Sequence, residues 1–223
     1  MKRLKVAIID LTRGNLFSVK LAFEKVGIDT YFVRELQELR EAQAVVIPGV
    51  GAFGQAMKEL KSKKLDKMII NLAQDVPVIG ICLGMQLLFS SSEEFGNHEG
   101  LNLIPGKVKR LPASVKKVSW GEIKKKVPHI GWNIVSKPNG RSCWNETLLK
   151  GIQDGSAFYF MHSYFVEPSD RTVITGVTKH GDFEFCSAVE YNNIKAFQFH
   201  PERSGEDGLT IYRNIAEFCN RFS

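Results

Sequence analysis

The sequence lacks any long apolar segment. Nowhere in its 223 residues does an uninterrupted apolar run approach the roughly 20 residues that a membrane-spanning helix needs. It also lacks a signal-peptide pattern, because the first residues pass from Met-Lys-Arg into a short apolar run that ends at Asp10. Its four cysteines form no C-x-x-C pair. These absences predict a cytoplasmic protein with free thiols and no membrane partner.

Metal-binding signatures are missing as well. The chain has no H-E-x-x-H, zinc-ribbon or EF-hand pattern, so we expect no metal ion. The net charge of +6 is small, and much of it lies between Lys107 and Lys126. Proteins that bind nucleic acid usually show a denser basic face with interleaved aromatic residues, so we expect no nucleic-acid partner. The basic segment 113–126 is interpreted as a loop or hairpin insertion, more often a solvated feature than a docking arm.

The first ninety residues alternate between short apolar runs and amphipathic segments. This alternation predicts right-handed crossovers and an open, mostly parallel, doubly wound α/β sheet. Asn15 is the predicted N-cap of the first helix and Gly27 its C-cap. The predicted strands cover residues 5–9, 30–33, 44–47 and 76–81. The predicted helices cover residues 16–26 and 52–73, the second with a possible break near Ser62, and a further helix begins within 83–90.

The second half of the chain has a different pattern, with strand signals separated by short turns and few helical signals. It predicts antiparallel strands added to the same sheet, or a small second sheet. No linker or internal repeat interrupts the chain, so residues 1–223 are predicted to form a single domain. The predicted strands are 106–111, 131–135, 157–166, 172–178, 184–191 and 195–200, and the predicted final helix is 208–222.

The sharpest local motif is Gly80-Ile81-Cys82-Leu83-Gly84, between a predicted strand and a predicted helix. A nucleophile elbow has this G-x-nucleophile-x-G form: a strained turn exposes the nucleophile, and flanking glycines leave room for the neighbouring backbone. The helix start favours a thiolate, and the next backbone N–H can donate to an oxyanion. The alternative is a buried structural cysteine. The context favours Cys82 as the nucleophile.

A thiolate nucleophile needs a base, and the base needs a group that orients it. His200 follows an apolar strand at the point where Pro201 ends it, and α/β sheets place their active sites at strand ends. Glu202, two residues on, is the candidate orienting carboxylate. His162 is the rival base. The three remaining histidines are predicted to lie in loops: His98, His129 and His180.

A second glycine cluster, Pro48 to Gly54, matches G-x-G-x-x-G between a strand and a helix. A dinucleotide site is not favoured, because the cluster follows the third strand and no acidic residue ends the next strand. We therefore expect no cofactor. Beside a nucleophile elbow, the backbone N–H groups of such a turn can complete an oxyanion hole.

Together these motifs resemble the class I (triad) glutamine amidotransferase family, which has a flavodoxin-like fold. Within it the chain is most similar to the glutaminase subunits of imidazole glycerol phosphate synthases, enzymes of histidine biosynthesis. The resemblance covers essentially the whole chain in order. Its markers are Gly14 to Leu16, Pro48 to Phe53, Cys82 to Phe89, Pro128 to Asn133, Phe158 to Tyr164 and His200 to Glu202.

The resemblance implies that Cys82 attacks the side-chain amide of glutamine, that His200 relays protons and that Glu202 orients His200. Ammonia leaves, and water then releases glutamate from the glutamyl thioester. The N–H groups of Val50 and Leu83 would hold the oxyanion, and these contacts would be incomplete until the partner signals that its own substrate is bound. The residues implied to bind the substrate glutamine are Gly51, Gln86, Glu94, Ser163 and Tyr164.

The resemblance also implies a partner, a (β/α)8-barrel synthase subunit that receives the ammonia within a heterodimer. Three departures from the family pattern bear on this partner: Thr12-Arg13 after the first strand, Arg203 in place of lysine, and a longer, more basic segment at 113–127. A paralogous subunit that feeds amino-sugar synthesis for surface polysaccharides is therefore an alternative. Two other readings have less support, a γ-glutamyl peptidase and a non-catalytic binding subunit.

Overall fold

A computed structural model describes residues 4–11, 16–118, 121–125 and 127–222, and in 114–118 and 121–125 it describes the backbone alone. The predicted N-cap Asn15 and the departures Thr12 and Arg13 lie outside the described residues.

The N-terminal part alternates strands and helices as predicted. Helix 52–73 is broken near Ser62, also as predicted, because Lys64 adopts a left-handed backbone (φ 58°) that no α-helix can continue. The elements are β1 (Lys5–Ile9), α1 (Leu16–Lys25), β2 (Asp29–Val33), α2 (Leu36–Leu39), β3 (Ala44–Ile47), α3 (Phe53–Ser62), α4 (Leu65–Leu72), β4 (Val78–Ile81) and α5 (Leu83–Leu87).

The C-terminal part consists mainly of strands and closes with a long helix. The elements are β5 (Phe89–Ser92), β6 (His98–Glu99), β7 (Ile104–Arg110), β8 (Ser114–Val118), β9 (Gly121–Lys125), β10 (His129–Ile134), β11 (Ala157–His162), β12 (Tyr164–Pro168), β13 (Ile174–His180), β14 (Phe183–Tyr191), β15 (Ile194–Phe197) and α6 (Gly205–Asn220).

The main sheet of the described chain has the order β2-β1-β3-β4-β15-β14-β12-β7-β5-β6, with β13 also paired to β14. Strands β2, β1, β3, β4 and β15 run parallel. Antiparallel strands extend this sheet through β14, and β10–β11 forms a separate ribbon. Both predicted uses of the C-terminal strands are therefore present. The hairpin predicted at 113–126 is also present, as the antiparallel pair β8–β9.

Helices cover both faces of the parallel strands, because successive strand residues point to opposite sides. In β1, Val6 and Ile8 belong to a core shared with α1 and α6, whereas Ala7 and Ile9 belong to a core shared with α3 and α4. This layering confirms the predicted doubly wound architecture.

Several predicted element boundaries differ from the structure, and three of these differences have a clear physical cause. The helix from Leu83 ends at Leu87 because the Leu87 and Leu88 carbonyls accept N–H groups from residues 101–104, and the chain continues as β5. Segment 157–166 is two strands, since at Ser163 the chain crosses from the β10–β11 ribbon to the main sheet. The last parallel strand ends at Phe197, and the His200 N–H donates instead to the carbonyl of Tyr159 (2.8 Å).

The described ranges contain no helix that combines the length and apolar character needed to cross a membrane. Within the same ranges, no group of three or more His, Cys, Asp or Glu residues is arranged to hold a metal ion.

Candidate active site

The predicted catalytic residues meet at the carboxyl edge of the parallel strands. Cys82 directly follows β4, and His200 lies three residues beyond β15. The glycine turn that contains Gly49 and Gly51 follows β3. Because β4 pairs with β3 on one side and with β15 on the other, the topology brings these three segments together.

Cys82 occupies a strained elbow. Its backbone has φ 54° and ψ −108°, a conformation that L-residues rarely adopt. A Cβ on Gly84 would lie 1.6 Å from the carbonyl oxygen of Ile47, and one on Gly80 would lie 2.9 Å from the backbone N of Met85. Only glycine fits at these two positions, which is the role that the sequence motif predicts for them.

The thiol of Cys82 is buried, with 4% of the residue exposed. Its Sγ lies 3.6 Å from the carbonyl oxygen of Met161 in β11 and 3.7 Å from Nε2 of Gln198. The Cys82 N–H donates to the carbonyl of Phe197 (2.7 Å), which ties the elbow to β15. The nucleophile is thus held between β4, β11 and β15.

His200 and Glu202 form a buried pair. His200 Nδ1 lies 2.8 Å from Oε1 of Glu202, and the side chains are 2% and 1% exposed. Burial alone would lower the pKa of His200, but negative charge on Cys82 and then the carboxylate of Glu202 raise it to about 10. Nδ1 is held by Glu202, so Nε2 is the atom that can exchange a proton at Cys82.

We expect His200 to remain protonated at pH 8 and to titrate at a lower pH in a Cys82→Ala variant, because that variant lacks the charge. The imidazole nitrogen shifts in NMR spectra measure this directly. The raised pKa also makes His200 stabilise the fold fully below the unfolded-state pKa of about 6.5, and this stabilisation is lost as pH rises through about 10. A His200 that titrates near 6.5 in both proteins would contradict the charge pairing.

The rival base, His162, is engaged elsewhere. Its Nε2 lies 2.9 Å from Nδ1 of His129, and its Nδ1 lies 2.8 Å from the carbonyl oxygen of Tyr164. Burial and the neighbouring His129 lower its pKa to about 3. Of the two candidates, only His200 has its ring paired with a carboxylate and electrostatically coupled to Cys82.

The two predicted oxyanion donors, the N–H groups of Val50 and Leu83, lie beside Cys82 but point in different directions. The Leu83 N–H donates to the carbonyl oxygen of Gly49 at 3.3 Å. The Gly49 carbonyl and the Val50 N–H belong to one trans peptide and so point in opposite directions. In this arrangement, therefore, the Val50 and Leu83 N–H groups do not point at one common position.

The residues predicted to bind glutamine lie around the same cleft. Gln86 Nε2 donates to the Tyr164 carbonyl (2.9 Å) and to Oε1 of Gln198 (3.1 Å). Glu94 Oε2 accepts the Phe53 N–H (2.6 Å), which places this carboxylate at the glycine turn with Gly51. The Ser163 carbonyl accepts the Leu111 N–H (2.8 Å), and Ser163 directly precedes Tyr164, whose carbonyl accepts from Gln86.

Sequence reasoning missed several residues near the site. Gln198 bridges Gln86 and Cys82, although the sequence marks it only as a strand residue next to the histidine motif. The three histidines predicted to lie in loops are on strands, since His98 belongs to β6, His129 to β10 and His180 to β13. A strand was predicted from residue 131, and the alternation of apolar Ile130, Trp132 and Ile134 with the residues between them was the signal that could have extended it back to His129.

An exposed apolar patch lies on the outer face of the β10–β11 ribbon. Ile130, Trp132 and Ile134 are 58%, 59% and 46% exposed. Trp132 is paired across the ribbon with Tyr159, whose ring lies 4.5 Å from the Arg203 guanidinium carbon. Trp132 therefore lies at the surface and is not part of the core. The patch adjoins the nucleophile, because Met161 of β11 contacts Cys82.

Comparison with known proteins gives the same family as the motifs. The model of the family described as glutamine amidotransferase class-I matches residues 7–217. Imidazole glycerol phosphate synthase subunit HisH of Moorella thermoacetica is 43% identical over 213 residues, which cover 95% of this chain and 94% of that protein. The protein of the same name from Geobacter metallireducens is 42% identical over 212 residues, covering 95% and 97%.

Solved structures show the same fold at lower identity. A glutamine amidotransferase from Thermotoga maritima superposes with a TM-score of 0.63 at 14% identity, over 100% of this chain and 99% of that one. PurLQS from the same organism gives 0.68 at 16% identity, over 97% and 99%.

Proposed function

Because the chain belongs to the class-I glutamine amidotransferase family, we propose that it is the glutamine-hydrolysing subunit of an imidazole glycerol phosphate synthase, acting in histidine biosynthesis. The observation that carries the chemistry is the strained Cys82 elbow, electrostatically coupled to the buried His200–Glu202 pair. A buried structural cysteine needs neither the strain nor the protonated imidazole.

The geometry supports hydrolysis through a thioester. The Cys82 sulfur attacks the side-chain amide carbon of glutamine, and the protonated Nε2 of His200 gives its proton to the departing ammonia. The neutral imidazole then takes a proton from water, which attacks the thioester and releases glutamate. Glu202 holds Nδ1 throughout, and so keeps Nε2 directed at the reacting atoms.

The side chains that hold the substrate offer it hydrogen-bond acceptors. Both N–H bonds of the Gln86 amide are already donated, so Gln86 offers a ligand only its Oε1 acceptor. The Glu94 carboxylate adds a negative charge near Gly51, a suitable partner for the α-ammonium group of glutamine. Ser163 and Tyr164 contribute backbone groups across the cleft.

The oxyanion hole would form by rotation of one peptide. If the Gly49–Val50 peptide turned over, its carbonyl would leave the Leu83 N–H and the Val50 N–H would face the cleft. Both donors would then be available to the tetrahedral intermediate. The glycines on either side permit this movement, since Gly51 already has φ 126°. We expect the barrel partner to favour the rotated form, which would suppress hydrolysis when no acceptor is ready.

The partner would dock on the apolar patch of the β10–β11 ribbon. The patch combines an exposed tryptophan, Trp132, with the half-buried Tyr159 and its stacked arginine, the residue types that dominate binding at protein interfaces. The patch lies next to Cys82, so a partner seated there would receive ammonia close to where it is released. We propose that this partner is the (β/α)8-barrel cyclase subunit, in a heterodimer.

The test is glutamate release by the full chain alone, with a histidine-pathway cyclase, and with the cyclase plus its nucleotide substrate. We expect little release alone and an increase of about 100-fold or more with the liganded cyclase, the size of effect given by one oxyanion donor. Full activity without any partner would contradict the gating. Activation only by an amino-sugar synthase would keep the glutaminase chemistry and overturn the histidine assignment.

Trp132→Glu provides the matched variant for docking. It should raise the cyclase concentration needed for half-maximal activation by about 30-fold or more, as expected when an aromatic anchor is lost. Phe222→Ala is the control. Phe222 is also exposed (46%), but it lies beyond the far end of α6, a helix of 16 residues that is roughly 24 Å long.

A further inference from the structure

Strand β10 is connected to the substrate cleft by a chain of hydrogen-bonded side chains. Asn133 Nδ2 lies 3.1 Å from Nε2 of His129, and His129 Nδ1 lies 2.9 Å from Nε2 of His162. His162 Nδ1 lies 2.8 Å from the Tyr164 carbonyl oxygen. Both histidines are 6% exposed, and the bond between their rings is shielded from water.

The donor and acceptor in each of these hydrogen bonds follow from the groups at the two ends of the series, the Tyr164 carbonyl and the Asn133 amide. The Tyr164 carbonyl can only accept, so His162 donates from Nδ1 and, being neutral, accepts at Nε2. His129 must then donate from Nδ1 and accept at Nε2 from Asn133. The Asn133 amide is oriented to donate because its Oδ1 already accepts the Ile134 N–H (2.8 Å).

The neutral state of His162 is itself favoured by its surroundings. Burial is the largest cause and the neighbouring His129 the next, and together they lower its pKa to about 3. The ring therefore stays neutral at ordinary pH, and the donor at Nδ1 stays directed at the Tyr164 carbonyl.

The Tyr164 carbonyl is the point where this chain meets the active site. It accepts a second bond from Nε2 of Gln86, whose other N–H goes to Oε1 of Gln198. Gln198 Nε2 lies 3.7 Å from the Cys82 sulfur. The Tyr164 carbonyl therefore accepts from both His162 and Gln86. Its orientation fixes that of the Gln86 amide, which is the group proposed to face the substrate.

We propose that His129 and His162 are positioning residues for glutamine: they hold the Tyr164 carbonyl, and through it Gln86, in the arrangement that receives the substrate beside Cys82. This proposal rests on the glutaminase function proposed above. Neither histidine reacts. Removal of the His162 donor leaves the buried carbonyl with one bond fewer and lets Gln86 turn away from glutamine.

The test uses the full chain in complex with the cyclase. His162→Leu and His129→Leu should raise the KM for glutamine about tenfold and change kcat less than about threefold, because they disturb substrate binding and leave the triad intact. His162→Asn keeps a donor near the Nδ1 position and should restore the KM to within about threefold of the unsubstituted complex. If one leucine variant fails to fold, the leucine and asparagine variants at the other histidine give the same comparison.

Phe185→Leu is the control for a purely structural effect. The Phe185 ring packs 5.1 Å from the His162 ring and 6.0 Å from the His129 ring but makes no bond in the chain. This variant should be destabilised with an unchanged KM. An unchanged KM in both leucine variants, with stability lost as in Phe185→Leu, would overturn the positioning role.

The two proposals fail in different ways. A complex with unsubstituted histidines that does not hydrolyse glutamine would overturn the function and the positioning role together. Normal hydrolysis combined with an unaltered KM in the histidine variants would overturn the positioning role alone. Calorimetric titration of glutamine into complexes that also carry Cys82→Ala gives the binding comparison without turnover.

Discussion

Cys82→Ala is expected to lower glutamine-dependent ammonia production by about 10⁴-fold or more, because it removes the atom that forms the thioester. The remaining groups could still bind glutamine and polarise its amide, but no neighbouring nucleophile replaces the sulfur. The measurement is glutamate release by the variant in complex with the cyclase. Full activity of this variant would end the hypothesis of a cysteine glutaminase.

Two controls separate chemistry from folding in this experiment. The cyclase in the variant complex should still form product when ammonium salt replaces glutamine, because external ammonia bypasses the missing step. Cys143→Ala should have unchanged activity, since Cys143 is exposed and the proposed mechanism gives it no role. Equal losses in both cysteine variants would indicate a general effect of thiol removal and would contradict a specific nucleophile.

Gly84→Ala is expected to destabilise the protein by more than about 4 kcal/mol, and the variant should be largely insoluble. Within a helix this exchange normally stabilises by about 1 kcal/mol. Here, however, the new methyl would lie 1.6 Å from the Ile47 carbonyl oxygen, a backbone atom of the central sheet that cannot move aside. Urea unfolding and the soluble yield measure the loss.

Gly54→Ala is the matched control. Gly54 also lies in a helix, and the atoms nearest to its added methyl would be those of the His98 ring at 2.7–2.9 Å. A half-buried side chain, unlike a backbone carbonyl, can turn away, so we expect a change within about 1 kcal/mol. Similar stability of the two variants would show that the elbow tolerates a side chain and that the G-x-nucleophile-x-G interpretation overstates its steric demand.

The parallel part of the fold was predictable from the sequence because its signals are local. Apolar runs such as residues 5–9 and 44–47 are short and bounded, and each amphipathic helix repeats with its own period. The elbow at Cys82 was predictable for the same reason, since its strain and its flanking glycines are adjacent in sequence. Both predictions rest on residues a few positions apart.

Features that depend on distant contacts were not predictable. Helix α5 stops at Leu87 because the Leu87 and Leu88 carbonyls accept N–H groups from residues 101–104. Neither helix propensity nor hydrophobic periodicity predicts these distant bonds. The break at Ser163 depends on which sheet each half joins. The series of hydrogen bonds through His129 and His162 requires the pairing of β10 with β11, which brings those two residues opposite each other. No local pattern carries that register.

The order of strands in the main sheet has a consequence for the protein during its synthesis. Strand β15, inserted between β4 and β14, is the last of the described strands to leave the ribosome, and it brings His200 with it. Until then a nascent chain holds Cys82 without its base and without the bond from the Cys82 N–H to Phe197, so glutaminase chemistry stays silent until β15 and His200 have been added. The same nascent chain exposes the unpaired edge of β4, a template for aggregation. Chaperone dependence should therefore be greatest for chains arrested between residues 82 and 194.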